Sequence, residues 1–130
     1  MIIDVGISGT RYGANRKQIS KITELLIGFK EQGAKKFRHG DCMGVDVEAA
    51  EIARELGYRI IKHPGPIGVG SKADFTMDIL PFLDRNKVIV RCSDIMLIVP
   101  HTNQEVLRSG TWATYRYAKE MRIPLRMVER

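Results

Sequence analysis

The chain has 130 residues, with 21 Lys and Arg against 15 Asp and Glu, a formal net charge of +6 and a pI near 9.5; this length supplies core for one domain and too little for two. Hydrophobic residues make up 44% and charged residues 28%, with Gly and Pro modest, which excludes a disordered, collagen-like or disulfide-stapled chain. No apolar run approaches the ~20 residues of a membrane span, the opening Met1, Ile2, Ile3, Asp4 lacks a leader pattern, and Cys42 and Cys92 are too few for a disulfide framework. The expectation is a cytoplasmic domain with reduced thiols and no membrane partner.

Apolar runs and amphipathic stretches alternate throughout, as in a single α/β domain over residues 1–130. Residues 2–7 read as a first strand. After Asn15, the spacing of Ile19, Ile22, Leu26 and Phe29 predicts a helix with one apolar stripe, stopped by Gly33. Residues 36–39 form a short second strand. Val45, Ala49, Ile52, Ala53 and Leu56 mark a second helix ending at Gly57, and residues 58–63 a third strand. Residues 64–77, rich in Gly and Pro, are long enough for a functional loop and suggest a mobile lid from which Lys72 reaches an anion. A third helix over 84–91, a buried strand over 94–99, a fourth helix over 111–121 and a last strand over 125–128 complete the pattern. Five strands joined by four helical crossovers predict a doubly wound parallel sheet.

Parallel sheets bind ligands at the carboxyl ends of their strands, where helix N-termini offer free N–H groups to anions. Three small-residue loops fall there. The first, Ser8-Gly9-Thr10-Arg11-Tyr12-Gly13, combines glycines that admit a phosphate, hydroxyls that donate to it and an arginine fork. The second runs from His39 through Gly40, Asp41 and Cys42 to Asp46; its two aspartates either cap the following helix or accept from ribose hydroxyls. The third, Arg108-Ser109-Gly110-Thr111-Trp112, repeats the phosphate-cradle chemistry, and Trp112 either stacks on a base or packs on the sheet or another subunit. There is no GxxxxGK[ST] P-loop and no GxGxxG fingerprint, so neither a P-loop nucleotide nor a dinucleotide cofactor is expected, and no cofactor is assigned. His39, His63 and His101 follow strands without metal-ligand spacing, and Cys42 has no evident activating base, so no metal site or thiol nucleophile is assigned.

Together, SGTRYG, HGDCMGVDVEAAEIARELG, LDRNKVIV and RSGTWATYRYA give the chain a resemblance to the SLOG superfamily of Rossmann-like domains, over nearly its whole length. That superfamily includes the LOG phosphoribohydrolases, DprA-type proteins and small stand-alone YspA-like members of phage and bacterial genomes. The resemblance implies a sheet ordered 3-2-1-4-5 with a nucleotide or nucleotide-derived ligand between the first and third of these loops. It places Ser8, Gly9, Arg11, Gly110 and Thr111 at phosphate positions, and Asp46 and Asp94 near the sugar. It also implies a homo-oligomer, which Trp112, Tyr115 and Tyr117, crowded on one helix, would anchor. LOG enzymes carry a glutamate four positions after the glycine opening the fourth helix. Here that position is Thr114, which cannot serve as a carboxylate base or nucleophile.

Three readings follow. The first is a nucleotide-ligand binding domain, sensor or sequestering, whose contacts are Ser8, Gly9, Thr10, Arg11, Gly40, Asp41, Asp46, Arg108, Ser109, Gly110 and Thr111. The second is a nucleoside 5′-monophosphate N-glycosidase in which Glu105, Asp46 or Asp94 replaces the missing glutamate. The third is DprA-like nucleic-acid binding, disfavoured by scattered bases, with Lys35 and Lys36 the densest pair, and by only 7% aromatics.

Overall fold

The computed structural model describes all 130 residues. In chain order the elements are β1 (Asp4–Gly9), α1 (Arg16–Glu31), β2 (Lys36–His39), α2 (Val45–Glu55), β3 (Arg59–Lys62), β4 (Phe75–Thr76), α3 (Phe82–Cys92), β5 (Ile95–Val99), α4 (Gly110–Glu120) and β6 (Leu125–Met127). All strand pairs are parallel, in the order β4-β3-β2-β1-β5-β6. The predicted order therefore holds for five strands, and a sixth joins at the edge. That strand, β4, is only two residues long and shows no alternation. It is held by backbone bonds from Asp74 N to Ile60 O and from Met77 N to Lys62 O, at 2.9 and 2.8 Å.

Two apolar clusters sandwich the sheet, and β5 shows why it must be apolar throughout. Ile95, Leu97 and Val99 face the larger cluster, with Val5, Ile7, Phe37 and Ile60 of the sheet and Ile22, Leu26, Ala49 and Ala53 of α1 and α2. Met96 and Ile98 face the smaller one, with Ile89 and Val90 of α3 and Ala118 of α4. Tyr115 and Tyr117 pack against this second cluster, Trp112 is buried, and the Trp112 and Tyr115 rings meet edge-on at 5.2 Å. The α4 aromatics expected to anchor an oligomer are thus engaged within the fold.

The first strand lies two residues later than its apolar pattern predicts. The Asp94 carboxylate accepts from Ile3 N and Asp4 N, both at 2.9 Å, tying the entry of β1 to β5, while the ladder runs on to Gly9 opposite Val99. Gly9 is required there: a Cβ on it would lie 2.3 Å from Val45 Cγ1, so α2 could not pack against β1. α1 opens with a capping box between Asn15 and Gln18. No helix is long and apolar enough to cross a membrane.

Candidate functional site

The strand order reverses between β1 and β5, where consecutive crossovers pass to opposite faces and the chain cannot close the gap above the sheet. A cavity of about 620 Å³ occupies that gap, lined from below by Ile7, Ser8 and Gly9. Its walls are Thr10, Arg11 and Tyr12 after β1, Cys42 and Asp46 around the start of α2, Arg85, Asn86 and Ile89 of α3, and His101, Thr102, Val106 and Arg108 to Trp112 after β5.

The loop after β1 is shaped by Thr10. Its N–H donates to Val99 O at 2.9 Å, its carbonyl accepts from Val45 N at 3.1 Å, and its hydroxyl accepts from Tyr12 N at 3.2 Å. This draws the start of α2 beneath the loop, where Gly44, at φ 84°, leaves no room for a Cβ: one would lie 2.5 Å from Thr10 O. The outward turn leaves Arg11 and Tyr12 in solvent at the cavity mouth. Arg11 Nη2 donates to Tyr12 Oη at 3.1 Å, and the Tyr12 ring lies 4.8 Å from that of His101, tilted by 49°. An exposed tyrosine paired with a histidine offers an aromatic face to a planar group.

Beneath the mouth lies a buried polar floor. Asp46 Oδ2 accepts from Gly40 N at 2.9 Å and Cys42 N at 3.5 Å, and burial pushes its carboxyl up to about 6 despite those bonds. Arg85, also buried, donates from Nη1 to the carbonyls of Gly40 and His63 at 2.5 and 3.1 Å, from Nε to Asn86 Oδ1 at 2.7 Å, and from Nη2 to Cys42 Sγ at 3.5 Å. It has no carboxylate within ion-pairing distance, so its charge is held in place by neutral partners and remains available to an anion. Burial, and next the charge of Asp46, raises the Cys42 thiol, which disfavours a thiolate nucleophile.

The far wall is the first turn of α4. Ser109 Oγ accepts from Trp112 N at 3.2 Å, leaving the N–H groups of Gly110 and Thr111 without intrahelical partners beside the cavity. A Cβ on Gly110 meets nothing within 4 Å, so this side of the helix end is open. The buried Trp112 Nε1 has no hydrogen-bond partner. Thr114 is buried with its hydroxyl donating to Gly110 O at 2.9 Å, and it brings no acid to the site.

Of the residues expected from sequence, Ser8, Gly9, Thr10, Arg11, Asp46, Arg108, Ser109, Gly110 and Thr111 come together around the cavity. Four do not. Gly40 lies behind the floor, where its N–H and carbonyl serve Asp46 and Arg85. Asp41 turns away: its carboxylate accepts from Gly70 N at 2.8 Å and from the Ser71 N–H and hydroxyl, with Lys62 Nζ 3.7 Å away. Glu105 sits in an exposed loop, paired with Arg116 at 2.6 Å. Asp94 lies at the amino-terminal edge of the sheet, opposite to the site, because it precedes β5 rather than following it. The predicted lid is corrected as well. None of residues 64–77 lines the cavity, and the loop is pinned to Asp41, whose carbonyl also accepts from Val69 N at 2.9 Å. No three His, Cys, Asp or Glu side chains gather as a metal site.

Arg85 and Asn86 went unassigned in the sequence. They belong to LDRNKVIV, which reads only as helix and as part of the resemblance, and only the topology turns α3 towards the switch point. Tyr12 and His101 are 89 positions apart and gave no joint signal.

The parallel sheet, its two helical layers and a cavity at the switch point define a Rossmann-like α/β domain. No protein-family model matches the chain, and the search of curated proteins gave no match. Solved structures do share its fold. DNA processing protein A from Helicobacter pylori, described for its single-stranded DNA binding mode, is 22% identical with a TM-score of 0.67, covering 96% of this chain. This chain spans 64% of that protein's length. The molybdenum cofactor carrier protein from Chlamydomonas reinhardtii is 20% identical with a TM-score of 0.71, and the molybdenum cofactor binding protein from Rippkaea orientalis 17% identical with a TM-score of 0.72. Each covers 98% of this chain, which covers 76% of each.

Proposed function

We propose that this chain is a SLOG-type domain that binds a nucleotide or nucleotide-derived ligand across the β1–β5 switch point. The observation that carries the reading is the lining of the cavity: Arg11, Arg85 and Arg108 with the open first turn of α4, against a single carboxylate, Asp46, already engaged by backbone N–H groups. Such a lining suits phosphate, and the Tyr12–His101 pair at the mouth suits a base stacked beyond it. Neighbours of the same fold are described as binding single-stranded DNA or molybdenum cofactor, which supports a ligand-holding role.

Cleavage is the weaker reading. Of the three acids considered for it, only Asp46 reaches the cavity, and a carboxylate committed to two backbone donors is poorly placed to attack an anomeric carbon or activate water. A thermal-shift screen of mono-, di- and cyclic nucleotides, with mass spectrometry of small molecules released on denaturation, tests the proposal. Stabilisation by a phosphorylated nucleoside should be weakened at least tenfold in affinity by Arg11→Ala and abolished by Gly110→Val, whose side chain fills the open end of α4. No stabilisation across the screen, or binding unchanged in both variants, would refute it. A steep salt dependence with single-stranded DNA would favour the nucleic-acid reading instead.

A further inference from the structure

We propose that residues 102–108, between β5 and α4, are a lid that swings over the bound nucleotide, an inference that rests on the ligand reading above. The loop borders the mouth: Thr102, Val106 and Arg108 line the cavity, whereas Leu107, between the last two, does not. All seven residues are exposed, and the only backbone–backbone hydrogen bond they make is at the loop's own end, from Ser109 N to Val106 O at 3.3 Å. A segment so weakly tied to its scaffold opens and closes at little cost. Its ends are fixed by contrast. Pro100 is buried with its carbonyl accepting from Gln18 Nε2 at 3.0 Å, His101 packs on Tyr12, and Ser109 caps α4, so the hinges lie at either end of the loop.

Side chains alone hold the loop where it stands. Arg116 of α4 donates from Nη1 to Glu105 Oε2 at 2.6 Å and from Nη2 to Leu107 O at 3.0 Å. Asn103 Oδ1 accepts from Arg130 N at 2.7 Å, and its Nδ2 donates to Arg130 O at 3.4 Å. Exposed pairs of this kind contribute little, so the latch is light. In this position Val106 is 44% and Leu107 82% exposed, which leaves apolar surface in water beside a cavity suited to a ligand with a planar ring. Rotation about the hinges turns Leu107 inward over a ring stacked on Tyr12 and His101, releases Arg116 and carries Arg108 towards the phosphate. Burial of that apolar surface against the ligand is the contact that the closed loop makes and the open loop lacks, and it is what shifts the loop between the two.

Isothermal titration of adenosine 5′-diphosphate into the intact chain, together with ¹⁵N relaxation dispersion on the ligand-free chain, tests the lid. Leu107→Ser alters a side chain that lies outside the cavity lining, yet should weaken binding about fivefold. Arg116→Ala removes the latch and should tighten binding about two- to threefold. The free chain should show microsecond-to-millisecond exchange confined to residues 101–109, with a larger minor population in Arg116→Ala. Unchanged affinity in Leu107→Ser, weaker binding by Arg116→Ala, or flat dispersion across the loop would each overturn the proposal. Should no nucleotide of the screen bind the wild type, the ligand reading fails, and dispersion alone then decides the loop: exchange that Arg116→Ala enhances supports two states, and a flat profile overturns them.

Discussion

His39 closes β2 and His63 directly follows the adjacent β3, and both are buried. His39 Nδ1 accepts from Asp41 N at 2.9 Å, which requires the neutral ring, and its Nε2 has no partner. Burial lowers its pKa to about 4. Burial, then the cations of Arg38 and Arg85, does the same for His63. In the unfolded chain both rings titrate near 6.5, so between pH 6.5 and 4 the unfolded state holds two protons that the folded state refuses. Asp46 works in the opposite sense: its carboxyl, raised to about 6, keeps a proton in the folded state that the unfolded chain has lost above 3.8. Two minus one leaves a net proton on the unfolded side between about pH 4 and 6, so stability falls on acidification there. Urea unfolding at a series of pH values measures this slope. His63→Gln should flatten it, and stability that rises on acidification from pH 6 to 4 would show that these rings titrate normally in the fold.

At the scale of elements, α1 is fastened at its start as well as along its apolar stripe. Gln18 is buried, and its Nε2 donates to Pro100 O and Val128 O at 3.0 and 3.1 Å, joining the helix to the chain beyond β5 and β6. Its Oε1 accepts from Asn15 N at 3.0 Å. Gln18→Leu keeps the size and apolar fit but strands two buried carbonyls, and should destabilise the fold by about 2–4 kcal/mol in urea unfolding. Ile19→Val, without such partners, should cost well under half as much. The sequence announces Ile22, Leu26 and Phe29 as a stripe, because periodicity is local, whereas the Asn15 cap is seen only in the structure. Gln18 reads as an ordinary first-turn polar residue, because its acceptors lie 82 and 110 positions away. β4 stayed hidden for a related reason: two exposed residues carry no pattern, and only the neighbouring β3 makes them a strand.

For the molecule as a whole, alternating runs were enough to read a doubly wound sheet, and two of the glycine-bearing loops after strands fall where the cavity opens. Distance along the chain was the limit. Asp94 and Glu105 were chosen for their chemistry, yet the first lies at the wrong end of its strand and the second is engaged by Arg116. Arg85 reaches the site only through the packing of α3.

That same placement governs the order in which the site comes into being. β1 pairs with β2 across about thirty residues, Asp4 opposite Lys36, but with β5 across ninety, Val5 opposite Ile95. Closing the longer loop is the slower step, so the half of the chain up to β3 can assemble before α3, β5 and α4 arrive. The cavity is the seam between those halves: it has a floor early and walls only at the end. A ligand held there grips contacts that the folding transition state lacks. A nucleotide that raises the melting temperature should therefore slow unfolding several-fold in stopped-flow measurements while leaving the refolding rate unchanged, so that occupancy would prolong the lifetime of the folded chain without hastening its birth.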